Sequence, residues 1–435
     1  MEKYYANVAS KWTTTAYDAE TDPSVWPNCQ KFPLYTNVSQ EDWEDWRWQM
    51  KHSLRTKDEL EALGVNLVPE ERKALDNMEG LLKMSITPYW AVRMDFNDPS
   101  DPLRIQSIPT PAELETHAEN EADPLGEDHD MAVPGLVHRY PDRVLFLCST
   151  VCSMYCRFCT RNRVVAKPAP FADENNFQQA IDYITNHTEI RDVLISGGDS
   201  LLLSDQRIDQ ILTAIRAIPH VEFVRIGSRV PSAMPYRVTP GLIAVFNKHS
   251  PVWLSVHFDH IREMSPQARK ALTMLADAGI PLGNQTVLMR HINDNVAKMK
   301  TLTHELLKNR VRPYYIYQCD LSEGLYHFRT PVARGIEIIE NLRGWTSGYA
   351  VPSFVVDAPG GGGKIVLQPQ MLLDYKPGEV TLRNFEGMIT KYYEPAELVT
   401  EEDELRMRTI LGKHHPLDDE LLTERSDGKA HSDHV

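Results

Sequence analysis

Between Arg143 and Arg343, six short apolar or β-branched runs alternate with six amphipathic stretches, and no other feature of the chain restricts its fold as tightly. The runs are Arg143–Ser149, Asp192–Ser196, Phe223–Ser228, Val252–Phe258, Leu282–Met289 and Tyr314–Tyr317. The stretches between and after them are Asn175–Asn186, Asp205–Ile218, Pro240–His249, Pro266–Ala278, Asp294–Asn309 and Val332–Arg343. Strands joined through helices run parallel, because the helical crossover carries the chain back to the edge it left. The spacing therefore predicts an α/β fold, a partial (β/α)6 barrel with an N-terminal helical extension and a C-terminal segment. Chemistry in such barrels sits in the loops that follow the strands.

The flanks divide the chain further, into a helical region at 1–110, the barrel at 111–350, a glycine-rich lysine segment at 351–395 and a tail at 396–435. The spacing of Trp43 and Trp46 predicts one helix with both rings packed on one face. Pro109–Pro134 is Pro-rich and acidic and reads as a connector. The tail is helical from Glu401 to Leu411, then polar, with its last dozen residues expected to be disordered. The 46 basic and 61 acidic side chains give a net charge of −15, which disfavours nucleic acid and anionic membranes as partners. No run approaches the roughly 18 apolar residues of a membrane span, and Met1-Glu2-Lys3-Tyr4-Tyr5 opens no secretory signal, so the expected location is the cytoplasm.

Cys152, Cys156 and Cys159 stand at C-x3-C-x2-C spacing directly after the first predicted barrel strand. Three thiolates on such a loop can hold three corners of a cubic iron-sulfur cluster and leave the fourth iron open. A zinc knuckle is the competing explanation, but structural zinc closes with four ligands at other spacings. Cys148 lies four residues before Cys152 on the strand, roughly 13 Å away by rise alone, and reads as a packed strand cysteine.

Here the chain resembles the radical S-adenosylmethionine (SAM) enzymes, whose open iron chelates the amino and carboxylate groups of SAM. Phe158, just before the third cysteine, fits their pattern, and Gly197-Gly198-Asp199 after the second strand resembles their GGD turn, where bare backbone approaches the cofactor. Pro359-Gly360-Gly361-Gly362-Gly363-Lys364 is not a Walker loop, since Ala358 and Ile365 stand where Gly and Ser or Thr are required. A lysine presented on a flexible glycine run suits Schiff-base chemistry with pyridoxal 5'-phosphate (PLP).

Together with Trp43–Trp48, Arg225–Arg229 and Pro313–Asp320, these segments resemble the lysine 2,3-aminomutase family, PLP-dependent radical SAM isomerases, over about Asp42 to Glu394. The resemblance implies a [4Fe-4S] cluster on Cys152, Cys156 and Cys159, PLP on Lys364, and SAM beside Phe158, Gly197, Gly198, Asp199, His257 and Gln285. It implies Arg139, Tyr140 and Arg143, just before the first strand, as ligands of the PLP phosphate. Arg161 is implied to hold the substrate carboxylate, and Asp320 and Asp357 to clamp a lysine ammonium. The implied reaction is migration of the amino group of L-lysine to give L-β-lysine, in a homo-oligomer fed by flavodoxin or ferredoxin. Arginine fits the two aspartates as an alternative substrate and glutamate fits them poorly; a non-catalytic iron-sulfur or zinc module is the other alternative. Relatives place zinc on C-terminal cysteines, whereas no cysteine follows Cys319 here, so zinc is not expected. Asn162 also interrupts the family's run of arginines.

The cysteine spacing leads to a direct test. Replacing Cys152, Cys156 or Cys159 with Ala is expected to abolish iron loading, while Cys148→Ala retains four irons per chain, as read by iron analysis and visible absorbance.

Overall fold

The computed structural model describes residues 20–165 and 173–412. They belong to two compact units, Met1–Leu367 and Gln368–Val435. The opening residues and the polar end of the tail, where disorder was expected, lie outside the described residues.

The six anticipated runs are all strands, within two residues of their expected limits. They are β3 (Arg143–Ser149), β4 (Asp192–Gly197), β5 (Phe223–Ser228), β6 (Val252–His257), β7 (Leu282–Leu288) and β8 (Arg312–Gln318). A hairpin precedes them, β1 (Met131–Val133) and β2 (Leu136–Tyr140), and β9 (Ser353–Ala358) and β10 (Gly363–Leu367) follow. All ten form one sheet in strictly sequential order. From β3 to β9 every neighbouring pair is parallel, so the parallel run has one strand more than expected. The hairpin and β10 pair antiparallel at the two ends.

Arg139 and Tyr140 lie just before β3, as expected, on the hairpin strand β2 and in register with the start of β3 through the Tyr140–Arg143 pair. One expectation about position is corrected here. Lys364 does not sit on a flexible glycine run: it is the second residue of β10, directly opposite Asp357. The glycines make the turn before it, with Gly360, Gly361 and Gly363 at positive φ, where a side chain would be strained.

The crossover helices are α1 (Glu174–Asn186), α2 (Asp205–Arg216), α3 (Pro240–Lys248), α4 (Pro266–Asp277), α5 (Val296–Lys308) and α6 (Val332–Leu342). Side chains of Asp173, Ser204, Thr239, Ser265 and Asn295 cap the first five, satisfying backbone N–H groups that have no partner within the helix. Strand residues alternate in burial. Val224, Ile226, Leu254 and Val256 join Ile211, Leu212, Leu242 and Leu272 of the helices in the main core. Their neighbours Arg225, Gly227, Ser255 and His257 are half-buried on the opposite face.

The N-terminal region is helical in short pieces, and its tryptophans do not share one helix face. Asp45 is extended and caps a new helix, Trp46–Lys51, by accepting from Arg47 N, so the chain turns between Trp43 and Trp46. Trp43 is fully buried and donates to Ser24 O at 2.8 Å, whereas Trp46 stacks on the Arg237 guanidinium. This region shares a core with Met154 of the cysteine loop.

The second unit holds an antiparallel meander, β11 (Leu372–Lys376), β12 (Glu379–Arg383) and β13 (Ile389–Tyr393), which was not anticipated, and α7 (Glu401–Ile410), which was. No helix among the described residues is long and apolar enough to cross a membrane.

Gly335 of α6 packs against the tip of the Phe354 ring of β9, and a Cβ there would overlap the ring. Gly335→Ala is therefore expected to lower stability by about 1–3 kcal/mol through overpacking, despite the better helix propensity of Ala, as measured by thermal or denaturant unfolding.

Candidate active site

The loop that leaves β3 carries the three cysteines, and the ends of β4 and β5 fix its path. Gly198 N donates to Ser149 O at 2.5 Å and Asp199 N to Val151 O at 2.8 Å. A Cβ on Gly197 would overlap Ser149 O, and one on Gly198 would lie 2.5 Å from Val151 O. The bare backbone of this turn thus meets the cysteine loop itself. Asp199 accepts from Ser228 Oγ at 2.7 Å, Arg229 N at 2.8 Å and Leu201 N at 3.1 Å, which ties β4 to β5. Burial pushes its carboxyl above the usual range against those hydrogen bonds.

Burial raises all three thiols. Cys152 is pushed well up, first by burial and then by Cys159, Asp199 and Cys156. Cys159 is pushed up to about 12 by burial and by Cys156. At Cys156 burial is opposed by Arg229, whose Nη1 lies 2.6 Å from the sulfur. The thiols are therefore close enough to repel one another as thiolates. Among the described residues, no three His, Cys, Asp or Glu side chains converge on a single-ion site. A cubic cluster takes each thiolate on a different iron and needs them near but apart. Cys148 points elsewhere, its thiol 3.5 Å from Ser196 O.

Three arginines of the same loop find acids in the Pro109–Pro134 segment, which is more than a connector. Arg157 Nε donates to Glu113 Oε1 at 2.9 Å. Arg161 makes a forked contact with Glu127, Nε–Oε1 2.9 Å and Nη2–Oε1 2.6 Å, while its Nη1 is 3.5 Å from Ser196 Oγ. Arg163 pairs with Asp123 at 2.9 Å and Asp128 at 3.1 Å. Phe158 packs edge-on against His257, with ring centroids 5.7 Å apart. His257 is 3.1 Å from Asp259 and stands in register with Gln285 on β7.

Toward the C-terminal edge of the sheet, the β9–β10 register brings Lys364 Nζ within 3.0 Å of Asp357 Oδ1 and 5.2 Å of the Tyr317 ring centre. Lys364 N donates to Tyr140 OH at 3.2 Å, and the Arg143 guanidinium lies 4.0 Å over the Tyr140 ring. A Cβ on Gly361 would lie 3.7 Å from Arg139 Nε, which is itself 3.4 Å from Asp130 Oδ2. The turn before Lys364 is therefore seated on β2. Asp320, two residues past β8, has its carboxyl raised to about 7, first by burial and then by Asp357; Lys364 and Arg161 pull it down, and Glu127 pushes it up. Arg161, Asp320, Asp357 and Lys364, some 200 residues apart in sequence, thus share one electrostatic site. Phe158, His257 and Gln285 gather separately, at β6 and β7.

Sequence reasoning missed Glu127, Tyr317 and Arg229. The acids of the 109–134 segment, facing a loop rich in arginine, were the available signal for the first. Tyr317 and Arg229 looked like ordinary residues at strand ends.

Strands, cysteine loop and glycine turn define a class. A family model described as the radical SAM superfamily matches residues 146–302, and one described as lysine-2,3-aminomutase matches residues 339–420. The chain is 52% identical over 365 residues to the L-lysine 2,3-aminomutase of Acetoanaerobium sticklandii, covering 84% of this chain and 88% of that one. It is 53% identical to the L-lysine 2,3-aminomutase of Fusobacterium nucleatum (83% and 85% covered) and 40% identical to the glutamate 2,3-aminomutase of Clostridioides difficile (83% and 85%). The chain belongs to the lysine 2,3-aminomutase family.

Membership implies a [4Fe-4S] cluster, SAM and PLP. The residues present fit them: half-buried thiols that are costly to ionise without a cation, and a lysine whose amine meets a carboxylate and whose backbone N–H meets the Tyr140 hydroxyl, with the Arg143 guanidinium over that ring.

The charges around Asp320 lead to a signed prediction. In protein free of PLP, a carboxyl that titrates near 7 and is lost in Asp320→Asn is expected by 13C NMR. Lys364→Met removes a neighbouring cation and raises that midpoint; Asp357→Asn removes a like charge and lowers it.

Proposed function

We propose that the chain is a radical SAM, PLP-dependent isomerase that moves the α-amino group of L-lysine to the β-carbon, giving L-β-lysine. The pairing of Asp320 and Asp357 beside Lys364 carries the choice of substrate. Two carboxylates in one pocket suit the side-chain ammonium of lysine and repel the side-chain carboxylate of glutamate. Arginine is the remaining cationic alternative, and the 52–53% identity to L-lysine 2,3-aminomutases favours lysine.

Cys152, Cys156 and Cys159 would hold the cluster, and Lys364 would hold PLP with Arg139, Tyr140 and Arg143 around its phosphate. Phe158, Gly197, Gly198, Asp199, His257 and Gln285 are assigned to the surroundings of SAM. When bound, the cluster with SAM supplies hydrogen-atom abstraction and PLP supplies the π-bond across which an amino group migrates. The chain's own residues bind and orient. Arg161, held from one side by Glu127, offers its Nη1 edge to the substrate carboxylate. Asp357 Oδ1 accepts a hydrogen bond from Lys364 Nζ at 3.0 Å. Once that amine is engaged elsewhere, Asp357 is released to face the substrate ammonium with Asp320. Because Asp320 is already raised to about 7 by burial and Asp357, its ionisation is favoured by an incoming cation. Substrate anchored at both ends presents one C–H bond in a fixed place, which is the entropic part of catalysis.

Further features follow as parts of the same proposal. The sheet is taken as a partial barrel, since sequential parallel strands with right-handed crossovers put every helix on one face, and a twisted sheet covered on one face curls. The electron is taken to come from a small carrier such as flavodoxin or ferredoxin, the assembly to be a homo-oligomer, and the location to be the reducing cytoplasm that suits six unpaired cysteines.

Two sets of variants test the site. Lys364→Ala is expected to lose covalent PLP, read by mass spectrometry after borohydride reduction; label on another lysine overturns the assignment. Asp320→Asn and Asp357→Asn each remove one carboxylate from the charge pair proposed with the bound substrate ammonium, a loss of about 3–5 kcal/mol or roughly two to three powers of ten in lysine use, with iron and PLP content unchanged. Near wild-type turnover in either variant removes that aspartate from the pocket.

A further inference from the structure

Arg229 follows β5 directly, and nothing proposed above uses it. Its side chain is 8% exposed and held at both Nη atoms. Nη1 lies 2.6 Å from Cys156 Sγ. Nη2 bonds Gln106 Oε1 and lies 3.6 Å from Asp259 and 3.5 Å from Glu263, both fully buried. The backbone N is held by Asp199, and the flat guanidinium sits 5.2 Å from the Trp90 ring centre and 4.9 Å from that of Phe158. A cation caged in this way cannot follow a changing charge, so it acts as a fixed potential.

The acids outnumber the arginine, but the arginine is the group that contacts the sulfur. Coulomb energy falls with distance, and the guanidinium touches the sulfur while the acids are reached through its other edge.

We propose that Arg229 is a positioning residue that raises the reduction potential of the cluster through its N–H···S contact with Cys156, tempered by Asp259 and Glu263. The inference rests on the assignment of Cys152, Cys156 and Cys159 as cluster ligands. Reduction adds one electron from a low-potential one-electron donor, with no bond broken and no proton moved, so cluster and thiolates together become more negative by one charge. A fixed cation and a hydrogen bond at a ligating sulfur stabilise that more negative state. The signal lay in the sequence only as the last residue of Arg225-Ile226-Gly227-Ser228-Arg229, with nothing to connect it to a cysteine 73 positions away.

The test is an EPR-monitored redox titration of anaerobically reconstituted full-length protein, with iron content determined on the same samples. Arg229→Gln keeps a donor but loses the charge, and its midpoint is expected to move to more negative potential. Arg229→Lys keeps the charge and is expected between that variant and wild type. Glu263→Gln removes an opposing charge at constant shape and is expected to move the midpoint to more positive potential. A residue that only supports the fold would leave the midpoint in place wherever iron content is full. A full cluster signal at the wild-type midpoint in Arg229→Gln or Glu263→Gln overturns the proposal. If Arg229→Gln fails to load iron, Glu263→Gln decides alone, and an unchanged or more negative midpoint there overturns it. A wild-type protein with no four-iron signal overturns the ligand assignment and this inference with it, whereas a good cluster with an immobile midpoint overturns this inference alone.

Discussion

The arrangement of this protein depends on ion pairs between one loop and one segment. Arg157, Arg161 and Arg163 reach out of the cysteine loop, and Glu113, Glu127 and Asp123 of the segment before the sheet receive them. Arg157 and Glu113 are almost wholly buried, so neither charge is tolerable without the other. The pairing holds a non-repetitive loop with few backbone partners of its own, and it fixes where the cysteines and Arg161 stand relative to each other. The N-terminal region closes the loop from another side, since its core includes Met154.

A second constraint, the register of β9 and β10, prepares the other end of the site. Antiparallel pairing places Lys364 across from Asp357, and the positive-φ glycines before it allow the strand to reverse within a few residues. The turn packs on β2, which brings Tyr140 to the Lys364 backbone. A lysine held in a strand between a carboxylate and a tyrosine ring is presented in one direction, which a flexible loop would not achieve. The proposed division of labour follows: cluster chemistry beside β3 to β6, amine chemistry at β8 to β10, and a shared electrostatic site through Arg161 and Asp320.

Much of the scaffold was legible from periodicity. The six strand runs and six helices appear close to their expected limits, because alternating burial in strands and amphipathic spacing in helices are local consequences of having a core on one side. The hairpin β1–β2 and the meander β11–β13 were not legible. Their strands are only three to five residues long and, apart from β2 and β12, carry no fully buried residue. The Trp43–Trp46 helix failed for a different reason: Asp45 is a good N-cap, and capping a new helix won over continuing the old one.

By itself, the sequence determined the order of the strands, the cysteine spacing and the lysine behind a glycine run, since these are set by residues adjacent in the chain. It also carried the family resemblance, which rests on the same contiguous motifs. Tertiary structure alone decided which charges meet. Glu127 on Arg161, Arg229 on Cys156, and Asp320 raised to about 7 between Asp357 and Lys364 all join residues that are far apart along the chain. Electrostatic energy depends on separation in space and on burial, and neither is written in the order of residues; only the folded sheet brings those charges together in a poorly solvated place.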